Sequence, residues 1–291
     1  MRKIPIALPC LGKEEAQAAY DTILSGWLTQ GPKVAEFETK FAEYVGSKYA
    51  VAVSNCTTAL HLSMIVAGIK AGDEVICPSM SFIATANSIK YENAIPVFAE
   101  VDSDYNLNLD DAKSKITSKT KAILLVHQIG MPANIAGFRK LCDEHNLVLI
   151  EDAACAIGSS INGRKIGSHS DFVCFSFHPR KVITTGDGGM IVTNNSSMAK
   201  KLKSLSFHGW DKDPLLRHKQ RYLNIKTKSK QNLHWYYEIK QLGYKYNMND
   251  LGASIGRVQL KKLPFLNNLR IKFLEKYLLN LKKCRNLIPA F

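Results

Sequence analysis

The stretch YAVAVSNCTTALHLSMIVAGIKAGDEVICP, residues 49–78, carries the pattern that decides the fold. A short apolar run at 49–53 is followed by helical spacing of apolar residues at 57–68 and by a second apolar run at 74–78. Strands that are apolar along their whole length are typical of a parallel sheet buried on both faces, with a helix as the crossover. We therefore predict a β-α-β unit here.

The same alternation continues through most of the chain. Further strands are predicted at 96–101, 121–127, 147–154, 172–177 and 189–194. Helices are predicted at 13–25, 33–45, 82–92, 110–116 and 135–145, and a leucine-rich helix from Asn249 almost to the end. Residues 211–245 are basic and aromatic, and we expect an irregular excursion there. The pattern predicts an α/β fold with a mostly parallel central sheet flanked by helices.

Composition and cysteine usage are those of an ordinary folded protein. The 291 residues are 46% hydrophobic and 22% charged, and no stretch reaches the roughly 18 apolar residues that a membrane span needs. Two prolines interrupt the short apolar part of the N-terminus, so we expect no signal peptide, no membrane partner and a cytoplasmic location. Seven cysteines lie scattered without a CxxC pair, which argues against disulfides and against a zinc or other metal site.

The net charge of +14 raises the possibility of a nucleic-acid partner. Much of the excess falls in the last third of the chain, without any recognised nucleic-acid module. We expect no nucleic-acid binding, and we favour a solvated basic surface or attraction to phosphorylated small molecules.

Three groups of polar residues follow predicted strands, where open α/β sheets bind their ligands. SNCTTALH, residues 54–61, could cradle a phosphate with backbone N–H groups and the hydroxyls of Ser54, Thr57 and Thr58, or could simply cap a helix. IEDAAC, residues 150–155, places Glu151 and Asp152 at a strand end, where an acid caps a helix or pairs with a cation.

The third group is FSFHPRKVITTGDGGMIVTN, residues 175–194. Its glycines permit tight turns with positive φ. Lys181 could be a reactive amine, a point charge for a phosphate, or a surface lysine in a hairpin.

Together the three groups are more specific than each alone. A phosphate cradle, then Asp152, then Lys181 29 residues later, is the order that holds pyridoxal 5'-phosphate (PLP). Lysine forms a Schiff base, a carboxylate keeps the pyridine nitrogen protonated, and small residues and hydroxyls neutralise the phosphate. Phe82, in SFIATAN, is the candidate to cover the ring.

The chain resembles the DegT-like nucleotide-sugar aminotransferases, which have the fold type I (aspartate aminotransferase-like) fold of PLP enzymes. The resemblance covers nearly the whole chain. It runs through GWLTQGPKVAEFE, VSNCTTALHL, GDEVICPSMSFIATANSI, PVFAEVD, IEDAACAIGS, FSFHPRKVITTGDGGM and LGYKYNMNDLGASIGRVQL.

The resemblance implies roles for individual residues. Lys181 matches the lysine that binds the cofactor and moves the proton, and Asp152 matches the acid at the pyridine nitrogen. The other residues that it places at the cofactor are Cys56, Thr57, Phe82, Cys155, Ser176, His178 and Asn247. Asn247 matches a phosphate contact made to the partner subunit, which implies a homodimer with shared active sites. Cys155 departs from the family pattern, since histidine or glutamine is common at that position beside the cofactor.

The implied reaction is transfer of an amino group, with glutamate as donor, to a nucleotide-linked keto-sugar such as a 4-keto-6-deoxyhexose, in surface polysaccharide or amino-sugar biosynthesis. Relatives with histidine in place of the lysine dehydrate sugars, so Lys181 favours transamination. The alternative is a non-catalytic or regulatory relative with a vestigial PLP site, which the absorbance of the purified protein would distinguish.

The resemblance also implies a division of the chain. Residues 1–245 form a large PLP-binding domain, and residues 246–291 begin a small C-terminal domain. Family members continue beyond the length of this chain, so we expect the C-terminal domain to be incomplete.

Overall fold

The computed structural model describes residues 5, 7–210 and 237–281. The helices in these ranges are α1 (Lys13–Leu24), α2 (Pro32–Val45), α3 (Cys56–Ala67), α4 (Ala84–Lys90), α5 (Leu109–Ser114), α6 (Ile135–His145), α7 (Ser196–Ser206) and α8 (Asp250–Leu281). The strands are β1 (Tyr49–Val53), β2 (Glu74–Pro78), β3 (Ile95–Ala99), β4 (Thr120–Val126), β5 (Val148–Asp152), β6 (Ser160–Ile161), β7 (Arg164–Lys165), β8 (Phe172–Ser176) and β9 (Gly189–Thr193). None of the helices described is both long and apolar enough to cross a membrane.

Seven strands form one sheet in the order β1-β9-β8-β5-β4-β2-β3. The pairs β8-β5, β5-β4, β4-β2 and β2-β3 are parallel, whereas β9 is antiparallel to both of its neighbours. The mostly parallel sheet predicted from the apolar runs is confirmed. Because β1 and β8 are each antiparallel to β9, they run in the same direction, and the carboxyl ends of six strands meet at one edge.

The sheet is buried on both faces, as its continuous apolar strands require. One face packs against α2 and α6, where Phe41 contacts Phe175 of β8 with ring centroids 5.0 Å apart. The other face packs against α3, whose Leu60 and Leu62 join Phe172 in a second core cluster. Full burial of such a side chain stabilises the fold by about 1.5–3 kcal/mol, so the two layers fix the sheet that carries the polar strand ends.

The predicted elements occur with end points that shift by no more than two residues, apart from the end of the last helix, which was predicted to lie beyond the described residues. β5 stops at Asp152 because Ala154 N–H turns back to bond the Asp152 carboxylate. The hairpin β6-β7 and helix α7 were not predicted, although Asn195 and the spacing of Met198, Leu202 and Leu205 carry the signal of a capped helix. Most of the expected excursion at 211–245 lies outside the described residues.

α8 is tied to the start of α2 through a buried carboxylate. Asp250 Oδ1 accepts hydrogen bonds from Gly31 N at 2.8 Å and Val34 N at 3.0 Å, and Oδ2 accepts one from Lys33 N at 3.1 Å. The first turn of α2 has N–H groups that the helix itself cannot pair. A residue more than 200 positions later therefore caps this helix.

Asp250→Ala removes the acceptor for three N–H groups in a site where the side chain is only 1% exposed. We expect the free energy of unfolding to fall by about 2–4 kcal/mol. Urea denaturation followed by circular dichroism measures this. The matched control is Glu275→Ala, an exposed acid on the same helix, which should change stability by less than about 0.5 kcal/mol. Equal stabilities of the two variants would contradict the capping role.

Candidate active site

A cavity of about 460 Å³ opens at the edge where the carboxyl ends of the strands meet. Most of the residues singled out from the sequence line it together: Cys56, Thr57, Phe82, Asp152, Cys155, Ser176, His178 and Lys181. Of the residues that the resemblance places at the cofactor, Asn247 does not line this cavity and instead lines an adjoining recess of about 370 Å³. Asp187 lines both spaces and marks where they meet.

The turn before α3 combines the two interpretations that its sequence allowed. Asn55 is the N-cap, with Oδ1 accepting from Thr58 N at 2.9 Å, and Thr58 Oγ1 donates to Asn55 O at 2.8 Å. Ser54 and Thr58 contact each other at this cap and do not line the cavity, although Ser54 lines the adjoining recess. Cys56 and Thr57 do line it, at a helix N-terminus that offers N–H groups and a positive dipole end to an anion.

The glycine run after Lys181 has a different role at each position. Gly186 has a φ of +87°, as a tight turn requires, but Gly188 and Gly189 are not in the left-handed region. The expectation of positive φ therefore holds for Gly186 alone of the three. A Cβ on Gly189 would lie 2.5 Å from the carbonyl carbon of Asn55 and 2.8 Å from the nitrogen of Cys56. The missing side chain lets β9 pack directly against the turn before α3.

Asp152 closes β5 with its carboxylate buried beside the cavity. Oδ1 accepts from Ala154 N at 3.1 Å and Oδ2 accepts from Thr85 Oγ1 at 3.3 Å, while Thr85 is itself bonded to Ser81 Oγ at 2.7 Å. Burial raises the pKa of Asp152, although the Ala154 N–H and the charge of Lys181 oppose part of that rise. A cationic group in the cavity would stabilise the charged carboxylate.

Lys181 lies on the loop between β8 and β9, with its amine directed to a thiol. Nζ donates a hydrogen bond to Cys155 Sγ at 3.1 Å. The loop is held at both ends, because Lys181 N donates to His178 O at 2.8 Å and Thr184 N donates to the Gln259 side chain at 3.2 Å. Gln259 also bonds Glu15 at 2.9 Å, so α8 and α1 both support the loop that carries the amine.

A buried pair of side chains, one of which (His127) lines the cavity, was not found from the sequence. His127 Nε2 lies 2.7 Å from Glu151 Oε2, and both side chains are fully buried. His127 Nδ1 accepts a hydrogen bond from Ala133 N at 3.1 Å, so the ring donates through Nε2 to the carboxylate. The sequence carried one indication of this pair: His127 directly follows β4, and Asp152 ends the neighbouring strand β5. Successive residues of a strand face opposite sides, so Glu151 points to this pair and Asp152 to the cavity.

These residues fit PLP on the evidence of their own geometry. The buried carboxylate of Asp152 suits a protonated pyridine nitrogen, and Lys181 supplies the amine. Cys56 and Thr57 place a helix N-terminus on the cavity, where its N–H groups suit an anionic phosphate. Phe82 lines the cavity with a side chain that is 75% exposed, which leaves its face free to cover a planar ring.

Comparison with known proteins gives one consistent result. The model of the DegT/DnrJ/EryC1/StrS aminotransferase family matches residues 9–290. The chain is 40% identical over 290 residues to the spore coat polysaccharide biosynthesis protein SpsC of Bacillus subtilis, covering 99% of this chain and 72% of SpsC. It is 42% identical over 275 residues to the uncharacterized protein MJ1066 of Methanocaldococcus jannaschii, covering 94% and 68%.

Solved structures agree with the family match. The putative sugar aminotransferase Spr1654 from Streptococcus pneumoniae, in its PMP form, superposes with a TM-score of 0.86 at 31% identity, covering 94% of this chain and 71% of Spr1654. Spr1654 has also been solved in a PLP form. Helicobacter pylori PseC, an aminotransferase involved in the biosynthesis of pseudoaminic acid, gives a TM-score of 0.80 at 31% identity, covering 91% and 67%.

Asp152→Asn tests the cost of holding this carboxylate out of water. A carboxyl whose pKa is raised by folding destabilises the folded chain above that pKa, and the penalty disappears as the pH falls through it. We expect the variant, without cofactor, to gain about 1 kcal/mol in free energy of unfolding at neutral pH. The gain should shrink on acidification, while affinity for PLP falls.

Urea denaturation across pH, with Asp110→Asn as the exposed control, measures the stability change. A variant that is less stable than the parent at every pH would contradict the assigned burial cost.

Proposed function

This chain belongs to the DegT/DnrJ/EryC1/StrS aminotransferase family, and we propose that it transfers an amino group from glutamate to a nucleotide-linked keto-sugar. It is a PLP-dependent aminotransferase of fold type I. The observation that carries the proposal is the meeting of Lys181 and Asp152 in one cavity, next to the N-terminus of α3. A vestigial site would not require an amine and a buried carboxylate in the same cavity.

The proposed acceptor is a 4-keto-6-deoxyhexose carried by a nucleotide, used in surface polysaccharide or amino-sugar biosynthesis. SpsC and PseC support this assignment, because their names place them in spore coat polysaccharide and pseudoaminic acid biosynthesis. The basic charge of the chain, +14, also favours an anionic substrate such as a nucleotide sugar.

The cavity residues divide the work between holding the cofactor and moving a proton. When bound, PLP supplies an electron sink for the negative charge that develops on the donor carbon. Asp152 would hold the pyridine nitrogen protonated, and Thr85 and Ala154 fix that carboxylate in place. Lys181 would bind the cofactor covalently. Once released, its amine would remove the proton from the donor carbon and return one to the sugar carbon.

The phosphate and the ring have separate contacts in this proposal. Cys56, Thr57 and Ser176 would hold the phosphate together with the first N–H groups of α3. Phe82 would cover one face of the ring, and His178 and Cys155 would border the reactive side. Cys155 is smaller than the residues common at this position, so it leaves more room beside Lys181.

We also infer a homodimer with shared active sites. Asn247 Nδ2 bonds to Met248 O at 3.2 Å, and its buried Oδ1 has no hydrogen-bond partner among the described residues. A buried acceptor of this kind is usually satisfied by a donor, and a second copy of the chain is the source that we propose. Exposed apolar side chains near the cavity, Phe82, Ile83 and Ile129, support an interface at this edge.

We propose that residues 1–245 form the cofactor-binding domain and that residues 246–291 begin the second domain. Exposed apolar side chains in the second half of α8, such as Ile271 and Phe273, support further packing there. We place the enzyme in the cytoplasm, consistent with cysteines that are free throughout the described ranges.

Lys181→Ala should abolish transamination and covalent capture of PLP while the fold stays intact, since no other cavity residue supplies a primary amine. Borohydride reduction of the PLP-loaded protein, followed by peptide mass spectrometry, measures the capture. Lys200→Ala, an exposed lysine on α7, is the matched control and should behave as the parent. PLP fixed to the Lys181→Ala chain would show that the reactive lysine has been misassigned. Parent protein without PLP absorbance would favour the non-catalytic alternative.

Mixing two defective chains tests the shared site. A heterodimer of Lys181→Ala and Asn247→Ala subunits has one site with both wild-type groups, provided that Asn247 acts on the partner's cofactor. We expect Asn247→Ala alone to weaken PLP binding by about tenfold. Random mixing of equal amounts makes about half of the dimers heterodimers, each with one restored site of two, so the mixture should regain about a quarter of the parental high-affinity sites. Fluorescence titration with PLP after refolding the mixture measures this. No recovery would show that Asn247 acts within its own chain.

A further inference from the structure

We propose that Cys155 and Lys181 form a covalent modification site: a hydroperoxide oxidises the Cys155 thiol, and the Lys181 amine then bonds to the sulfur. The product is a sulfenamide cross-link between the two side chains. It goes beyond transamination, because it needs neither the amino donor nor the sugar.

The two reacting atoms already contact each other. Lys181 Nζ donates a hydrogen bond to Cys155 Sγ at 3.1 Å, and both residues line the cavity. Forming the bond requires the atoms only to close this remaining gap, and the long flexible lysine stem can supply that movement. The site therefore consists of a thiol with a nucleophile in contact, not a cysteine on its own.

Cys155 is also the thiol of this cavity that an oxidant can reach. Oxidation follows exposure and thiolate character, and Cys155 and Cys10 are the exposed thiols among the described residues. Burial raises the pKa of Cys77 and of Cys142 to about 12, which disfavours their thiolates. Cys56 shares the cavity, but burial raises its thiol pKa well above the ordinary value.

The backbone holds Cys155 in a defined position. It lies in a turn in which Ala156 N donates to Ala153 O at 2.9 Å. The Cys155 carbonyl oxygen packs closely against Gly130, since a Cβ added to Gly130 would lie 2.8 Å from that oxygen. Gly130 is itself held in place, because its carbonyl oxygen accepts a hydrogen bond from Ser159 Oγ at 2.7 Å. The Lys181 loop is anchored on the opposite side by Gln259. Two fixed segments thus keep the sulfur and the amine together.

The chemistry balances in two steps. The thiolate sulfur attacks one oxygen of hydrogen peroxide, the O–O bond breaks, and the thiol becomes a sulfenic acid with release of one water. The amine lone pair then attacks that sulfur, an S–N bond forms, and the S–O bond breaks, with the hydroxyl leaving as a second water that carries an amine proton. Sulfur loses two electrons and peroxide gains them. A dithiol reverses the reaction by reducing the S–N bond to thiol and amine.

The cross-link and the cofactor compete for one amine. While Lys181 holds PLP, its nitrogen is not available to the sulfur, so bound cofactor should protect the site. A peroxide pulse on the cofactor-free chain should instead block later loading. This consequence rests on the proposed role of Lys181, whereas the cross-link rests on the contact alone.

The direct test treats the purified full-length chain with hydrogen peroxide, with and without added PLP, then alkylates free thiols and maps the peptides by mass spectrometry. We expect a linked pair of peptides containing Cys155 and Lys181, lighter than the sum of the two by about 2 Da, which dithiothreitol separates. Added PLP should reduce its yield by about tenfold. A Cys56–Cys155 disulfide, or oxidation of Cys155 without linkage to Lys181, would overturn the proposal.

Two variants separate this linkage from general oxidation. Cys155→Ser should give no linked peptide and should capture PLP equally before and after peroxide, whereas Cys10→Ser should behave as the parent. Lys181→Met should leave the sulfenic acid of Cys155 exposed to labelling by dimedone. Equal peroxide sensitivity of PLP capture in the Cys155→Ser and Cys10→Ser proteins would refute the assignment. If untreated parent captures no PLP, the proposed function fails, but the linked peptide still decides this proposal.

Discussion

The desolvated carboxylate of Asp152 is the constraint around which the cavity is built. A charge held out of water is costly unless it is paired or hydrogen-bonded, and here a backbone N–H and the Thr85 hydroxyl meet only part of that need. Both donors come from segments that follow parallel strands, so the sheet must bring those strand ends to one edge. The carboxylate thus explains why the fold places a site here and why the site suits a cationic ligand.

Hydrogen bonds between distant segments then hold the cavity residues in position. Gln259 of α8 connects the N-terminal segment, α1 and the loop after Lys181 through Cys10 O, Glu15 and Thr184 N. Asp250 of the same helix caps α2, which packs on β8 through its phenylalanines. α8 therefore supports the cavity without lining it. The loop that carries the Lys181 amine is held in place by these hydrogen bonds. Such support limits how far a catalytic group can move out of its productive geometry.

Periodicity and strand-end chemistry predicted much of this structure from the sequence. The apolar runs gave the order of elements, and the resemblance identified Lys181, Asp152 and the residues that line the cavity with them. Contacts between distant segments were beyond such patterns. The Asn55 cap was overlooked beside more obvious hydroxyls, and the role of Gly189 depends on how closely β9 approaches α3. His127 and Glu151 pair across two strands, and neither carries a local signal of its partner.

The alternation along β5 has a consequence for how this gene can change. Glu151 and Asp152 are adjacent in sequence, yet one serves the buried pair with His127 and the other serves the cavity. Substitutions elsewhere in the strand leave this division intact, because the pleat fixes which side each position faces. Deletion of one residue between Val148 and Ile150 would turn Glu151 and Asp152 each to the opposite face of the sheet. The buried pair with His127 and the cavity would then both be disrupted. Evolution of this strand is therefore confined to replacement, while the surface loops are open to gain and loss of length.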